Sequence, residues 1–435
     1  MEAWALLMFV LLFALLLIGY PVAFTLGAIA LLFGSIFLGG SFFDLLPLRI
    51  WGVMTNFTLL AVPLFVFMGV ILEKSGLAEE LLSTMGRLFG RIRGGLAISV
   101  VMVGALLAAT TGVVGASVVT MAVIALPAML NRGYAPSLAS GTIAASGTLG
   151  QIIPPSIILI LLGDVVGVPV GELFIGAVLP GMLLIVLYMA YIAFTAWRHP
   201  HMAPAVVADD PDLPHLALSV MKSLLPPLFL IVAVLGSIFF GVASPTESAA
   251  VGALGALILA ALNKRLTLAN LQDAMQKTTR LTSMVFLIFI GATAFGLVFV
   301  GMGGDKLILD IFSGLPGGKW TFLVLSMLLI FVLGFFLDFI EICFIVVPVL
   351  APVAIVLGLD PLWFALLIAI NLQTSFLTPP FGFSLFYLKA SAPPGLKLAS
   401  IYKGIVPFVV IQIMVLGLLI AVPELSLWLP SLMQQ

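Results

Sequence analysis

The sequence predicts an all-α polytopic membrane protein built as two inverted repeats, each with about five transmembrane helices and one re-entrant hairpin. Three observations predict it. Hydrophobic residues make up 63% of the 435 positions and charged residues 8%, with a mean hydropathy of +1.33, whereas soluble chains carry about 25% charged residues. Landmarks then recur: Gly317-Gly318 answers Gly94-Gly95, Pro348 answers Pro127, Pro379-Pro380 answers Pro154-Pro155 and Pro407 answers Pro180, at offsets of 223, 221, 225 and 227. Finally, with the amino terminus outside, 14 Lys and Arg fall on the inner side and three, Arg49, Lys306 and Lys319, on the outer, as the positive-inside rule requires.

A crossing helix needs about 20 apolar residues, at 1.5 Å each, to span roughly 30 Å of hydrocarbon. Ten candidates follow in order: residues 3–19, 22–38, 57–72, 134–166, 172–197, 225–240, 246–262, 281–301, 361–388 and 404–422. The first lacks the basic flank and small-residue cleavage site of a signal peptide, so it reads as a retained helix. The apolar pieces 96–109 and 117–130 are about 14 residues each, roughly 21 Å of helix, too short to cross comfortably. They read as a hairpin that enters and leaves on one side, and 320–334 with 338–357 as a second. A continuous helix over 96–130 would instead invert the charge balance of every later loop. Amphipathic segments 77–93 and 266–277 read as braces lying flat on the inner surface.

The organisation that results is a first repeat over 1–197, with scaffold helices in 1–93, hairpin 1 in 94–132 and a broken helix in 134–167. A cytoplasmic linker covers 198–222 and holds Asp209, Asp210 and Asp212. The second repeat covers 223–435, with scaffold helices in 223–301, hairpin 2 in 317–357 and a broken helix in 360–389. Repeats with matched interrupted segments are the pattern of secondary transporters. Polar atoms gather in the hairpin units, so these are expected to move together against the outer helices, as an elevator does.

Several function classes fall away. The net charge is −1 and the only basic run is 87–93, so nothing points to nucleic acid. The single cysteine, Cys343, excludes an intrachain disulfide or thiolate metal site. The three histidines, His199, His201 and His215, lie in the linker, and no HExxH, GxSG or GxGD string occurs, so an intramembrane enzyme has no machinery.

Candidate site residues sit where helices break. A broken helix presents free N–H groups at one end, which suit a carboxylate, and free C=O groups at the other, which suit a cation. In the first half these are Thr110, Thr111, Gly112, Gly115 and Ser117 around the hairpin tip, with Ser146, Gly147, Thr148, Gly150, Gln151, Pro154 and Pro155 at the break. In the second half they are Gly334 and Asp338, with Asn371, Gln373, Thr374, Ser375, Thr378, Pro379 and Pro380. Oxygen-only ligand sets suit a hard cation such as sodium. One sodium site is expected at tip carbonyls 110–115 with break 146–150, the other at 334–338 with break 373–378. Other readings are open. Pro-Pro can be a simple kink, Ser and Thr can be interhelical glue, and Glu247, Asp338 and Glu341 have the positions of helix caps.

The strings GVVGASVVTMAVIALPAML, SGTLGQIIPPS and FLTPPFGFSLF, with the order of elements around them, resemble the large membrane subunit of tripartite ATP-independent periplasmic (TRAP) transporters, along essentially the full length. The resemblance implies an elevator-type fold similar to the ion transporter superfamily. It also implies sodium-driven import of a small organic anion such as a C4-dicarboxylate or sialic acid, with sodium as coupling ion and no other cofactor. The implied partners are a small four-helix membrane subunit, expected as a separate polypeptide because the chain begins at the large subunit's first helix, and a periplasmic substrate-binding protein. The implied place is the bacterial inner membrane, with both termini periplasmic. A symporter working without a binding protein, or an ion channel, is the alternative.

Overall fold

The computed structural model describes residues 2–112, 114–205 and 213–432, and the side chains of all of these except 2, 3, 110, 111 and 213–217. Among the described residues the chain is helical and has no strand. It begins with α1 (Glu2–Ile18) and α2 (Val22–Phe37), then a short 3-10 segment (Gly40–Leu45), α3 (Leu46–Met54), α4 (Ala61–Lys74) and α5 (Leu77–Phe89). Next come α6 (Gly95–Thr111), α7 (Val114–Asn131), α8 (Pro136–Thr148), α9 (Ile157–Val166) and α10 (Val170–Arg198). After the linker follow α11 (Leu213–Phe239), α12 (Pro245–Leu262), α13 (Leu268–Gly301), α14 (Gly304–Ser313), α15 (Gly318–Leu333), α16 (Phe339–Ile345) and α17 (Val347–Val356). The chain closes with α18 (Pro361–Leu377), α19 (Phe383–Ser391), α20 (Leu398–Ala421) and α21 (Glu424–Ser431).

The turns keep step across the two halves. Left-handed backbone occurs at Gly19 and Gly241, Gly39 and Lys264, Gly76 and Gly303, Gly94 and Gly317, Gly133 and Gly358, and Gly167 and Gly395, each pair 222 to 228 residues apart. Lys264 is the one non-glycine among the described residues with positive φ. Both proline pairs, Pro154-Pro155 and Pro379-Pro380, are joined by cis peptide bonds.

Among the described residues, six helices are long and apolar enough to cross a bilayer, or up to nine if each of three bent pairs forms one span. Large apolar side chains stand exposed along α2 (Phe24, Leu31, Ile36), α12 (Val251, Leu254, Ile258) and α20 (Val406, Ile413, Met414), surface that water would not tolerate and lipid does. Inside, α4 packs against α5, α6, α9, α12 and α13, and α8 against α6, α7 and α20. Close crossings depend on glycine: a Cβ at Gly291 of α13 would stand 2.6 Å from the Ala23 carbonyl oxygen of α2, and small residues are what let membrane helices approach this closely.

Several expectations need correction. The hairpin arms α6 and α7 have 17 and 18 residues, about 26 and 27 Å of helix, longer than the apolar stretches because Gly95, Val114 and Asn131 extend them. The flat brace at 266–277 is the first part of one continuous helix, α13; no Gly or Pro lies between Leu268 and Ile290 to interrupt it. The linker expected over 198–222 is shorter, since α11 starts at Leu213 with Pro214 in its first turn, where a missing N–H costs nothing. The acids Asp209, Asp210 and Asp212 lie outside the described residues. Short helices α3, α14 and α21 fill what read as loops. The second arm of hairpin 2 bends by 52° between α16 and α17, just before Pro348, whose ring removes the bond to the preceding turn.

Candidate functional site

The two helices that lead into the breaks are the most enclosed in the molecule. Every residue of α8 from Leu138 to Thr148, and of α18 from Leu362 to Leu377, is buried. Such helices should be apolar all round, yet these carry hydroxyls and amides. Most of the hydroxyls donate within their own helix: Ser146 to the Ile143 carbonyl (3.1 Å), Thr148 to Ala145 (2.8 Å), Thr374 to Ile370 (2.8 Å), Ser375 to Leu372 (2.8 Å) and Thr378 to Thr374 (2.7 Å). A hydroxyl whose proton is engaged this way has only lone pairs left to offer.

The first break is held by hairpin 1. A Cβ on Gly104 of α6 would meet the Ser146 side chain at 2.6 Å, and one on Gly150 would meet the Ala108 carbonyl oxygen at 2.7 Å; Gly147 faces Val118 of α7 in the same way. The chain leaves α8 through a 3-10 turn (Leu149–Gln151) and re-enters helix at Ile157. Ser156 holds the N-cap position of α9 but does not cap it, because its hydroxyl donates back to the Gln151 carbonyl at 2.8 Å. The Gln151 amide is fully buried and neither its nitrogen nor its oxygen has a partner. Burying an amide with nothing to bond costs about 1–3 kcal/mol, which a bound ion or water would relieve. Gly112, at the hairpin tip, has φ of 59° and abuts Ile157, the first residue of α9. Thr110 and Thr111 have side chains outside the described residues, and Ser117 is buried at the start of α7.

Hairpin 2 holds the second break by equivalent means. Gly334 lies directly against the Ser375 hydroxyl, with no room for a Cβ. The Asn371 amide donates to the Met327 carbonyl of α15 at 2.7 Å, so it ties hairpin to helix. Phe339 and Phe376 meet at 6.5 Å between ring centroids, and Phe336 and Phe381 at 5.5 Å. Ser384 donates to the Phe376 carbonyl at 2.7 Å across the Pro379-Pro380 turn. Gln373 is fully buried with its amide beside the Tyr188 hydroxyl. Asp338 and Glu341 form a reciprocal capping box on α16: Phe339 N–H donates to Asp338 at 2.8 Å, and Asp338 N–H donates to Glu341 at 3.2 Å. Ser244 and Glu247 make the same box on α12.

The halves are interlocked. Helix α9, after the first break, packs on α16 and α17 of hairpin 2, while α19, after the second, packs on α7 of hairpin 1. Tyr387 of α19 lies against Gly115, 3.0 Å from where a Cβ would stand.

Three groups were not anticipated from the sequence. Tyr387 is one. Tyr188 of α10 accepts from the Gln412 amide of α20 at 2.7 Å, fully buried between the halves. Asp164 of α9 accepts from the Asn56 amide at the entrance to α4. A lone acid in the run LILLGDVV was a legible signal, since intramembrane charge is costly enough to need a reason. At the other end of α4, Thr120 of α7 donates to Glu73 at 3.3 Å. So α4 is bonded to α9 near one end and to hairpin 1 near the other.

A family model described as "Tripartite ATP-independent periplasmic transporter, DctM component" matches residues 9–425. The chain is 30% identical over 448 aligned residues to the C4-dicarboxylate TRAP transporter large permease protein DctM of Rhodobacter capsulatus, covering 99% of each chain. It is also 30% identical to the sialic acid TRAP transporter large permease protein SiaM of Vibrio cholerae, covering 96% of each. Among solved structures, the YdaH transporter of Alcanivorax borkumensis superposes with a TM-score of 0.60 at 16% identity, over 87% of each chain, which is a likeness of fold.

Proposed function

The chain belongs to the DctM component family of tripartite ATP-independent periplasmic transporters, a multi-pass membrane permease, and on that premise we propose that it imports a small organic anion by coupling its movement to sodium. The anion is a C4-dicarboxylate, a sialic acid or a related carboxylate, handed over by a periplasmic binding protein. A small four-helix subunit braces the scaffold. The protein lies in the bacterial inner membrane with both termini periplasmic, and its halves, over 1–197 and 223–435, are inverted repeats. Sodium is the coupling ion and no other cofactor takes part.

One observation supports this reading above the others: both buried breaks are clamped against a hairpin by glycine contacts, and the first holds a glutamine, Gln151, whose buried amide has no hydrogen-bond partner. A simple kink has no use for such an amide. The hydroxyls of Ser146, Thr148, Thr374 and Ser375 donate their protons to backbone, which leaves their lone pairs as what they can offer, the property a hard cation needs. Sodium is assigned to the two tip-and-break pairs, with carbonyls of 110–115 and 334–338 completing the sets. Asp338 orients sodium or a substrate hydroxyl or amine, because its charge repels a carboxylate. The uncapped amino end of α9 offers free N–H groups to the anion. Because each break is enclosed by a hairpin, the loaded unit travels whole, and α4 is the rail along which it shifts.

The test is uptake into proteoliposomes holding this chain with its small subunit and binding protein, using labelled succinate and N-acetylneuraminate as probes. Accumulation should require an inward sodium gradient and stop when sodium is replaced by choline. Ser146→Ala and Thr374→Ala each remove one oxygen without adding bulk, so each should raise the sodium concentration for half-maximal uptake. Unchanged sodium dependence in both variants would refute the placement.

A further inference from the structure

Two sizeable cavities of the structure lie away from the breaks. One of about 590 Å³ is lined by Arg49 and Asn56 with Gly52, Phe289 and Thr293. A neighbouring one of about 460 Å³ shares Arg49, Phe289 and Thr293, and runs between α13, α14 and the second arm of hairpin 2, with Asp305 and Lys306 on its wall. Together they form one passage between scaffold helices and a hairpin, and Arg49 is the one charged group common to both parts. Helix α3 presents it, with Pro47 in its first turn, and Leu48 beside it on the same wall. Among the described residues neither Arg49 nor Lys306 has an ion-pair partner.

A guanidinium that no acid pairs with, in a passage whose walls are largely apolar and carry one acid, Asp305, offset by Lys306, is free to receive an anion. Its planar fork matches a carboxylate with two parallel hydrogen bonds, and its charge raises the local concentration of small anions. Arg49 and Lys306 are also two of the three cations that charge counting puts on the outer side, the side from which an imported anion arrives. The floor of the passage is closed by Asn56, whose amide is engaged with Asp164 of α9. Anything seated on Arg49 is thus beside the contact between scaffold and mobile unit.

We propose that Arg49 is a substrate-capture residue: it receives the carboxylate of a small organic anion in this passage before the anion reaches the breaks, with Lys306 adding a second positive charge at the rim. The inference rests on the transport reading above, but its test does not need transport. Thr293→Cys places a thiol on the wall shared by both cavities; the native Cys343 is fully buried, and the parent chain supplies the background. In proteoliposomes, the rates at which the anionic reagent MTSES and the cationic MTSET modify the introduced thiol read the local charge.

The ratio of MTSES to MTSET rates should fall on the order of fivefold in Arg49→Gln, the effect of one unit charge about 8 Å away in a water-like medium, and persist in Arg49→Lys. Succinate at millimolar concentration should slow MTSES at least twofold, whereas the uncharged analogue succinamide should not, and Arg49→Gln should abolish the protection. A ratio unmoved by Arg49→Gln overturns the proposal, as does equal protection by succinate and succinamide. A thiol that reacts only after lipid is stripped by detergent also overturns it, and makes the passage an acyl-chain site. Loss of sodium-dependent uptake with the labelling pattern intact would count against the transport reading and leave the capture site standing.

Discussion

Gln151→Met is the substitution that best separates a working site from a packing defect. Methionine has the length of glutamine without its amide, and the Gln151 amide has neither atom bonded and no exposure to solvent. If the space around it is dry, the wild type carries a cost of about 1–3 kcal/mol for the unbonded amide, and the variant should melt higher by a few degrees in any salt. If the amide serves sodium, the outcome reverses. An ion present at a hundred times its dissociation constant stabilises the folded state by about 2.7 kcal/mol, and a lost ligand should remove much of that. Melting midpoints measured in sodium and in choline chloride should therefore differ for the wild type and nearly coincide for Gln151→Met, and the sodium needed for half-maximal uptake should rise at least tenfold. A variant that is more stable in both salts, with the sodium increment intact, would refute the reasoning and make the amide a mere defect.

Other perturbations have equally definite outcomes. Asp338→Asn keeps the capping acceptor on α16 and removes the charge, so the protein should insert and fold while uptake is largely lost; near-normal uptake would leave the cap as the whole explanation. Gly150→Ala drives a methyl into the Ala108 carbonyl at 2.7 Å and should cost about 1–3 kcal/mol or more, whereas Gly236→Ala, with nothing within 4 Å, should be silent in the same melting assay. Asn56→Leu leaves Asp164 without its donor and should cost about 1–3 kcal/mol. Adding Asp164→Leu should recover part of that loss, and strict additivity would mean the two side chains are not coupled. Chemical cross-linking of cysteines at positions 73 and 120, whose side chains meet at 3.3 Å, should arrest uptake; full-rate transport by the cross-linked protein would exclude movement of hairpin 1 along α4.

The breaks were legible because they are written in residues with few other uses. Pro-Pro after a run of small and polar residues marks an interruption, and its recurrence 225 positions later makes chance a poor account. Glu247 was legible as a cap through the spacing of Ser244 and Glu247, which the structure closes into a box. What escaped depends on tertiary contact. The one local sign that Leu268–Gly301 is a single helix is the lack of Gly and Pro up to Ile290, since a flat brace and a span are both helical. Tyr387 read as one aromatic among many, and only the packing of α19 on α7 brings it to Gly115. Asn371 read as a site oxygen; that its amide nitrogen also ties α18 to hairpin 2 needed the tertiary contact. Arg49 entered the charge count as one outer cation; its meaning came from the cavity around it.

The exchange of contacts between halves, α9 on hairpin 2 and α19 on hairpin 1, also sets a timetable for synthesis. Ile157–Val166 leaves the ribosome 173 residues ahead of Phe339, a wait of roughly 10–35 s at about 5–20 residues per second. Through that interval a helix bearing Asp164 lacks the hairpin that will pack on it, and Asn56, its hydrogen-bond partner in the finished fold, is the donor already synthesised that could accompany the acid. A chain truncated before hairpin 2 would leave this helix without that packing for good, a natural mark for the proteases that clear unfinished membrane proteins.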